Sequence, residues 1–149
     1  MTLNNLKSVQ KLLGTLVMFF SFSMLLPFIA SLIDGDVNTA SSFLASFVFT
    51  LIAGCLLWFP SRSARTDIRL HEGFIIVALF WITLALFGSI PFLMLPASSL
   101  TITDAIFEST SGLTTTGATV MSNLDLLPKG LLFYRAQLQW LGGLGIVVL

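Results

Sequence analysis

The chain has 149 residues, of which 56% are hydrophobic and only 9% are charged, and its formal net charge is zero. A soluble domain usually carries about 25% charged residues, so the composition indicates an integral membrane protein. A chain without net charge offers no basic field, and we expect no nucleic-acid partner. The single cysteine, Cys55, excludes an internal disulfide. Because it lies in an apolar run, we expect it to be a buried small hydrophobic residue.

Two long apolar segments come first in the chain. The first covers about residues 12–33, which exceeds the roughly 20 residues that a spanning helix needs. It is also longer than the apolar part of a signal peptide, about 7–15 residues, so we expect a retained anchor. Pro27 lies inside this segment and is predicted to kink its helix. After a short polar turn at residues 34–39, the second segment covers about residues 41–59.

The basic residues of the chain predict its orientation in the membrane. Lys7 and Lys11 precede the first segment, while Arg62, Arg65 and Arg69 follow the second. Basic loops remain on the cytoplasmic side, and the two groups are separated by two spans, so both groups can lie on the same side. We therefore predict a multi-pass membrane protein whose N-terminus is cytoplasmic.

A third apolar segment, about residues 73–95, is followed by a region that is too polar to span, residues 96–128. Inside this polar region, Thr101 and Asp104 have the spacing of a capping box, in which Thr101 is the N-cap. This motif predicts that a helix begins directly after Thr101.

A run rich in threonine and glycine follows this short helix. We expect the helix to end near Ser111 or Gly112, with Gly112 as its C-terminal stop. About ten residues at 1.5 Å give about 15 Å, half the thickness of a hydrocarbon core. The run that follows ends at Gly117. Irregular backbone at membrane depth is tolerated where it lines a wet cavity, and its carbonyl oxygens can replace the hydration shell of a cation. The pattern predicts a pore helix followed by one quarter of a cation selectivity filter.

Two charged residues near this run need partners inside the membrane. We expect Glu108 either to hydrogen-bond to backbone or hydroxyl groups behind the filter or to lie exposed in a wet vestibule. Arg135 lies in the final apolar segment, which begins near Lys129. It either snorkels outward or pairs with a carboxylate such as Glu108 or Asp125. The same segment contains glycines that would allow close backbone packing, namely Gly142, Gly143 and Gly145.

Residues 103–120 closely resemble the first pore loop of TrkH/TrkG-type bacterial potassium uptake proteins, which belong to the Trk/Ktr/HKT superfamily. Residues 132–146 are similar to the helix that follows this loop in the family, and residues 72–81 to the helix before it. The resemblance implies an all-α integral membrane fold. Two N-terminal transmembrane helices (residues 1–70) would precede one helix–re-entrant pore loop–helix repeat (residues 71–149), whose last helix is expected to be truncated.

The resemblance also implies a function, which is potassium uptake without a cofactor and without enzymatic activity. It implies that K⁺, as the transported ion, contacts the backbone carbonyls of Thr114, Thr115, Thr116 and Gly117, with Thr115 and Thr116 as the principal contacts. In the family, a glycine at the position of Gly117 accompanies selection of K⁺ over Na⁺. The implied partners are the lipid bilayer, a second copy of the protein and a cytosolic nucleotide-binding regulatory subunit.

Family members carry four repeats in one chain, whereas this sequence has one filter-like stretch. We therefore expect an N-terminal fragment that does not conduct alone and is unstable alone, because filter carbonyls without partners are costly in lipid. An alternative is a small non-conducting membrane protein that binds or regulates a full-length transporter. An intramembrane enzyme is disfavoured, because the sequence places no His or Lys near Ser109 or Ser111. The choice between a channel and an ion-coupled symporter stays open.

Overall fold

Every regular element in the described part of the chain is a helix. The computed structural model describes residues 3–63, 70–96 and 99–148, so Arg65 and Arg69 of the predicted basic loop lie outside the described residues. The α-helices are α1 (Leu3–Ser23), α2 (Leu25–Ile33), α3 (Val37–Trp58), α4 (Leu70–Gly88), α5 (Ile90–Met94), α6 (Ile102–Leu113) and α7 (Lys129–Val148). Short 3-10 turns follow α3 at Phe59–Ser61 and precede α7 at Leu124–Leu126.

Three helical segments among the described residues are long and apolar enough to cross a membrane. They are Leu6–Ile33, Val37–Ser61 and Gly73–Met94. These are the three apolar segments predicted from the sequence, with boundaries that differ by up to six residues. The predicted final segment is also confirmed as a helix, since α7 begins at Lys129.

Cys55 lies on an exposed face of α3, so the prediction that it is buried was wrong. The buried side of α3 includes Thr50 and Gly54, whereas the adjacent Leu56 is 70% exposed. A membrane helix can turn large apolar side chains towards lipid and small or polar ones towards the protein. An apolar run therefore does not tell which of its residues are buried.

Proline interrupts two of the three spanning segments. The first changes from α1 to α2 at Met24, three residues before Pro27, and the third changes from α4 to α5 at Ser89, two residues before Pro91. Proline has no amide hydrogen, and its ring clashes with the preceding helical turn, so the interruption lies upstream of the proline itself. The predicted kink is thus confirmed, with its break at Met24.

The polar turn between α2 and α3 is shorter than predicted, because α3 already begins at Val37. Asp36 is the N-cap of α3, and its carboxylate accepts hydrogen bonds from the hydroxyl and the amide of Thr39. These two bonds favour the charged carboxylate and hold the pKa of Asp36 below its ordinary value. Asp34, in the same turn, forms an exposed ion pair with Lys129, so the turn lies beside the start of α7.

Tyr134 of α7 lies at the centre of the buried core. Its ring centroid is 5.5 Å from that of Phe43 on α3 and 5.3 Å from that of Phe92 on α5. Its side chain is fully buried. Helix α7 also packs against α2 and α6, so this helix joins the first two spanning segments to the polar region that contains α6.

Gly142 marks the closest approach of α7 to α6. A Cβ atom at Gly142 would overlap the backbone carbonyl group of Leu113. At Gly143, the nearest atom to such a Cβ is Thr115 Cγ2 at 3.9 Å, an ordinary van der Waals contact. The predicted close packing is therefore confirmed at Gly142.

We predict that Gly142→Ala destabilises the helical bundle by about 1–3 kcal/mol, the usual cost of overpacking. The methyl group would meet backbone, which cannot rotate away as the end of a side chain can. Gly143→Ala is the matched control, because both changes raise helix propensity by the same amount, about 1 kcal/mol. Thermal unfolding in mild detergent, followed by circular dichroism, compares the two variants. Equal melting temperatures would contradict the prediction.

Candidate functional site

Helix α6 begins with the predicted capping box. The hydroxyl oxygen of Thr101 accepts a hydrogen bond from the amide of Asp104 at 3.2 Å, and the Asp104 carboxylate accepts one from the amide of Thr101 at 3.1 Å. The helix continues to Leu113, so the prediction that Gly112 ends it was wrong. Gly112 lies inside the helix instead, where a Cβ atom would stand 2.9 Å from the Cβ of Leu138 on α7. Close packing, rather than a left-handed turn, explains this glycine.

After α6 the backbone turns sharply, and successive amides bond to the end of the helix. The amide of Thr115 donates to the carbonyl of Gly112 at 2.9 Å. The amides of Thr116 and Gly117 both donate to the carbonyl of Ser111, at 3.0 and 3.3 Å. Thr115 and Gly117 have positive φ angles of 57° and 74°. This conformation is strained for threonine but readily adopted by glycine.

These amide contacts fix the direction of the carbonyl groups in the turn. In a trans peptide the N–H and C=O bonds point in opposite directions, and the described chain has no cis peptide bond. Since the three amides point towards the end of α6, the carbonyls of the same peptide units point away from it. Those carbonyls belong to Thr114, Thr115 and Thr116.

The four predicted site residues lie together on this turn, and all four are exposed. Within the described part of the chain, no hydrogen bond reaches the carbonyl oxygens of Thr114, Thr115, Thr116 or Gly117. The next carbonyl differs, since Ala118 accepts a hydrogen bond from a serine hydroxyl of α6. The turn therefore presents a row of oxygens that are available to a cation. We call residues 114–117 the carbonyl loop.

Residues 118–121, which we call the return segment, run back along α6. The hydroxyl of Ser111 donates to the carbonyl of Ala118 at 2.7 Å. One turn earlier on the helix, Glu108 Oε1 accepts from the hydroxyl of Thr119 at 2.5 Å and from the amide of Val120 at 2.7 Å. Later residues of the segment thus contact earlier residues of the helix, which makes the two antiparallel.

Glu108 also forms a buried ion pair with α7. Its second oxygen, Oε2, accepts a hydrogen bond from Nε of Arg135 at 3.0 Å, and the Glu108 side chain is fully buried while that of Arg135 is 17% exposed. A buried charge is tolerated when it is paired and hydrogen-bonded, and Glu108 meets three donors. Of the alternatives left open by the sequence, hydrogen bonding to backbone and hydroxyl groups is confirmed for Glu108. Arg135 pairs with Glu108 rather than Asp125.

Two further polar contacts of α7 were missed by the sequence analysis. The hydroxyl of Tyr134 donates to the carbonyl of Gly88 at 2.8 Å, where α4 ends, and Nε2 of Gln137 donates to the carbonyl of Ser23 at 2.7 Å, where α1 ends. The sequence did contain a signal for the contact of Gln137. Pro27 has no amide hydrogen, so the carbonyl of Ser23, four residues earlier, lacks its helical donor. Gln137, a polar residue on the mostly apolar helix α7, was a second signal, because its amide needs a partner.

Comparison with known proteins gives a consistent assignment. The model of the TrkH family, described as a cation transport protein, matches residues 39–149. The chain is 49% identical to the Trk system potassium uptake protein TrkH of Halomonas elongata, over 97% of this chain and 30% of that protein. It is 46% identical to TrkH of Escherichia coli K12, over 96% and 29%, and 36% identical to TrkG of the same strain, over 100% and 30%.

The fold is also similar to a solved structure. The crystal structure of the potassium transporter TrkH from Vibrio parahaemolyticus matches with a TM-score of 0.91 and 44% sequence identity. The match covers 96% of this chain and 30% of that chain. The chain thus spans less than a third of the length of the curated relatives and the solved structure that it matches.

We predict that Arg135→Met destabilises the chain by about 3–5 kcal/mol, the usual cost of leaving one buried charge without its partner. The double variant Glu108→Gln/Arg135→Met should recover part of this loss, because it removes both charges and keeps an oxygen that accepts from the return segment. Thermal unfolding in detergent measures both variants. As a control, Lys129→Ala breaks an exposed ion pair and should cost at most about 1 kcal/mol. A double variant no more stable than Arg135→Met would contradict the prediction.

Proposed function

Since this chain belongs to the TrkH family of cation transport proteins, we propose that it takes part in potassium uptake across a bacterial inner membrane. In this proposal, the carbonyl loop is one quarter of a K⁺ selectivity filter. Membership of a transporter family means that the protein is not an enzyme. The choice of K⁺ over other cations is supported by the relatives along almost the whole chain, which are named potassium uptake proteins.

The row of free carbonyls carries the proposal. A filter works when backbone oxygens replace the water molecules around a cation. The carbonyls of Thr114, Thr115 and Thr116 point away from α6 and accept no hydrogen bond within the described residues. For Thr115 and Thr116 this supports the contacts that the resemblance implies. Gly117 lies in the same exposed loop, and its carbonyl likewise accepts no hydrogen bond within the described residues.

The end of α6 favours a cation at the same place. The partial negative charge at the C-terminus of a helix attracts cations within about one turn, and the carbonyl loop lies directly beyond that terminus. The helix has 12 residues, and at 1.5 Å per residue it is about 18 Å long. This is a little more than half of a hydrocarbon core of about 30 Å, which supports a helix that enters the membrane and a chain that returns to the same side.

One loop provides one side of a ring. We propose that three further loops complete the filter, from elsewhere in the same polypeptide or from other copies, and that one loop alone does not conduct. Residues 1–70 would form an N-terminal helix pair with a cytoplasmic N-terminus, and residues 71–149 one helix–pore loop–helix repeat. The proposed homodimer and the cytosolic nucleotide-binding subunit are supported by the family resemblance alone.

A chimera tests the proposal. This chain replaces the segment that it matches in Escherichia coli TrkH, and the chimera is expressed in a strain that lacks its own potassium uptake systems. We expect growth on limiting K⁺, whereas the unjoined chain should not restore growth. Gly117→Asp should lower uptake by roughly tenfold or more, because a charged side chain at membrane depth costs about 2.5 kcal/mol or more.

Gly35→Asp is the matched control for this experiment. Gly35 also has a positive φ angle, 78°, and a Cβ atom there would meet nothing within 4 Å. The control therefore repeats the backbone strain and the added charge without placing either near the carbonyl loop. The proposal would be wrong if the unmodified chimera failed to take up K⁺ while present in the membrane. It would also be wrong if both aspartate variants transported equally well.

A further inference from the structure

We propose that Glu108 and Ser111 are positioning residues for ion discrimination, a proposal that rests on the proposed function. They do not touch the ion in this proposal. By holding the return segment at a fixed distance from α6, they fix the carbonyl loop that precedes it. We infer that this attachment determines how well the site distinguishes K⁺ from smaller cations such as Na⁺.

The attachment at Glu108 is built on a buried carboxylate. Glu108 is 2% exposed, and one of its oxygens accepts two donors from the return segment, the Thr119 hydroxyl and the Val120 amide. The Thr119 hydroxyl oxygen in turn accepts from the amide of Met121 at 3.0 Å. Because hydrogen bonds to charged groups are about twice as strong as neutral ones, this end of the segment is held firmly.

The attachment at Ser111 lies nearer to the carbonyl loop. Ser111 follows Glu108 by three positions and is therefore on the same face of α6. Its hydroxyl holds the carbonyl of Ala118, while its own carbonyl accepts the amides of Thr116 and Gly117. A single residue of the helix thus contacts both the last part of the carbonyl loop and the first residue of the return segment.

The ion pair with Arg135 prevents Glu108 from moving. The Arg135 guanidinium bonds to Oε2, the carboxylate oxygen that the return segment does not use. Moving Glu108 towards the loop would break this buried pair, and moving it away would break the bonds to Thr119 and Val120. The position of the carboxylate is therefore determined from both sides.

A fixed loop favours the larger ion. Na⁺ is smaller than K⁺, so carbonyl oxygens must move closer together to replace its hydration shell. Oxygens that are held in place cannot make this movement, whereas a loose loop can. Weakening the attachment should therefore improve binding of Na⁺ relative to K⁺, which is the property that a filter built from carbonyls must control.

The test uses the chimera described above with two variants, Thr119→Val and Ser111→Ala. Each removes one hydroxyl of the attachment and leaves the Glu108–Arg135 pair unchanged. The measured quantity is the inhibition constant of Na⁺ divided by the KM for K⁺ in uptake assays. We expect this ratio to fall by roughly three- to tenfold in each variant, the effect that the loss of one hydrogen bond has on an equilibrium.

Thr110→Val is the matched control, because Thr110 is on the same helix but its hydroxyl bonds, among the described residues, only to the carbonyl of Ile106. It should leave the ratio unchanged. A merely structural role of the hydroxyls would lower the amount of protein and the maximal rate and leave the ratio intact. That result in both variants would overturn the inference.

Hydrogen exchange provides a readout that does not depend on transport. In the chimera purified in detergent, exchange of peptides that cover residues 114–121 should be faster in Thr119→Val and Ser111→Ala than in Thr110→Val. Equal exchange in the three variants would overturn the inference even if the chimera were inactive. A chimera without any K⁺ uptake, combined with faster exchange, would overturn the proposed function and support the attachment.

Discussion

Inside a membrane, every polar group of the backbone needs a partner within the protein or in a wet cavity. Helix α7 provides such partners at two helix breaks and for the Glu108 carboxylate of α6. The first and third spanning segments are interrupted near prolines, where α1 ends at Ser23 and α4 ends at Gly88, and the backbone carbonyl of each of these residues accepts a hydrogen bond from α7. The side chains of Gln137 and Tyr134 donate to these carbonyls, and Arg135, between them in sequence, pairs with Glu108 of α6. Three side chains within one turn of α7 therefore contact two helix breaks and α6.

The buried ion pair between Glu108 and Arg135 is better explained by its effect on conformational specificity than by its effect on stability. Removing two charges from water costs more than their attraction often returns, so a buried pair can be replaced by apolar residues at little cost. An apolar pair, however, could not accept the hydroxyl of Thr119 and the amide of Val120. Glu108 satisfies groups of the return segment that would otherwise lack partners. The guanidinium of Arg135 bonds to the carboxylate oxygen that these two groups do not use.

In contrast to the return segment, the carbonyl loop has backbone carbonyls without partners among the described residues. Its four residues are exposed, and no group in the described part of the chain bonds to its carbonyls. Each such carbonyl would cost several kcal/mol in contact with lipid, so the loop requires water, a cation or further loops around it. Because backbone polar groups inside a membrane need a partner, we expect the loop to line a wet cavity. This agrees with a site that holds a partly dehydrated cation.

The features that the sequence predicted correctly depend on residues close together in the chain. The spanning segments follow from long apolar runs, the start of α6 follows from the spacing of Thr101 and Asp104, and the kink follows from the missing amide of Pro27. Each of these signals acts within a few residues. The composition of residues 114–117 also indicated an irregular loop, because small hydroxyl residues and glycine neither fill a core nor favour a helix.

Other features depend on how the helices pack against one another, and only the tertiary structure determined them. Arg135 had several acceptable partners in the sequence, and packing of α7 on α6 brought it to Glu108, 27 residues away. The same packing placed Gly112 inside α6 against Leu138, although its residue type indicated a helix end. The exposure of Cys55 depends on which side of α3 packs on α1 and α2. Local sequence specifies a helix and approximately where it begins and ends. Which side chains of different helices become partners depends on the distances between helix surfaces, and these distances are defined only once the helices have packed.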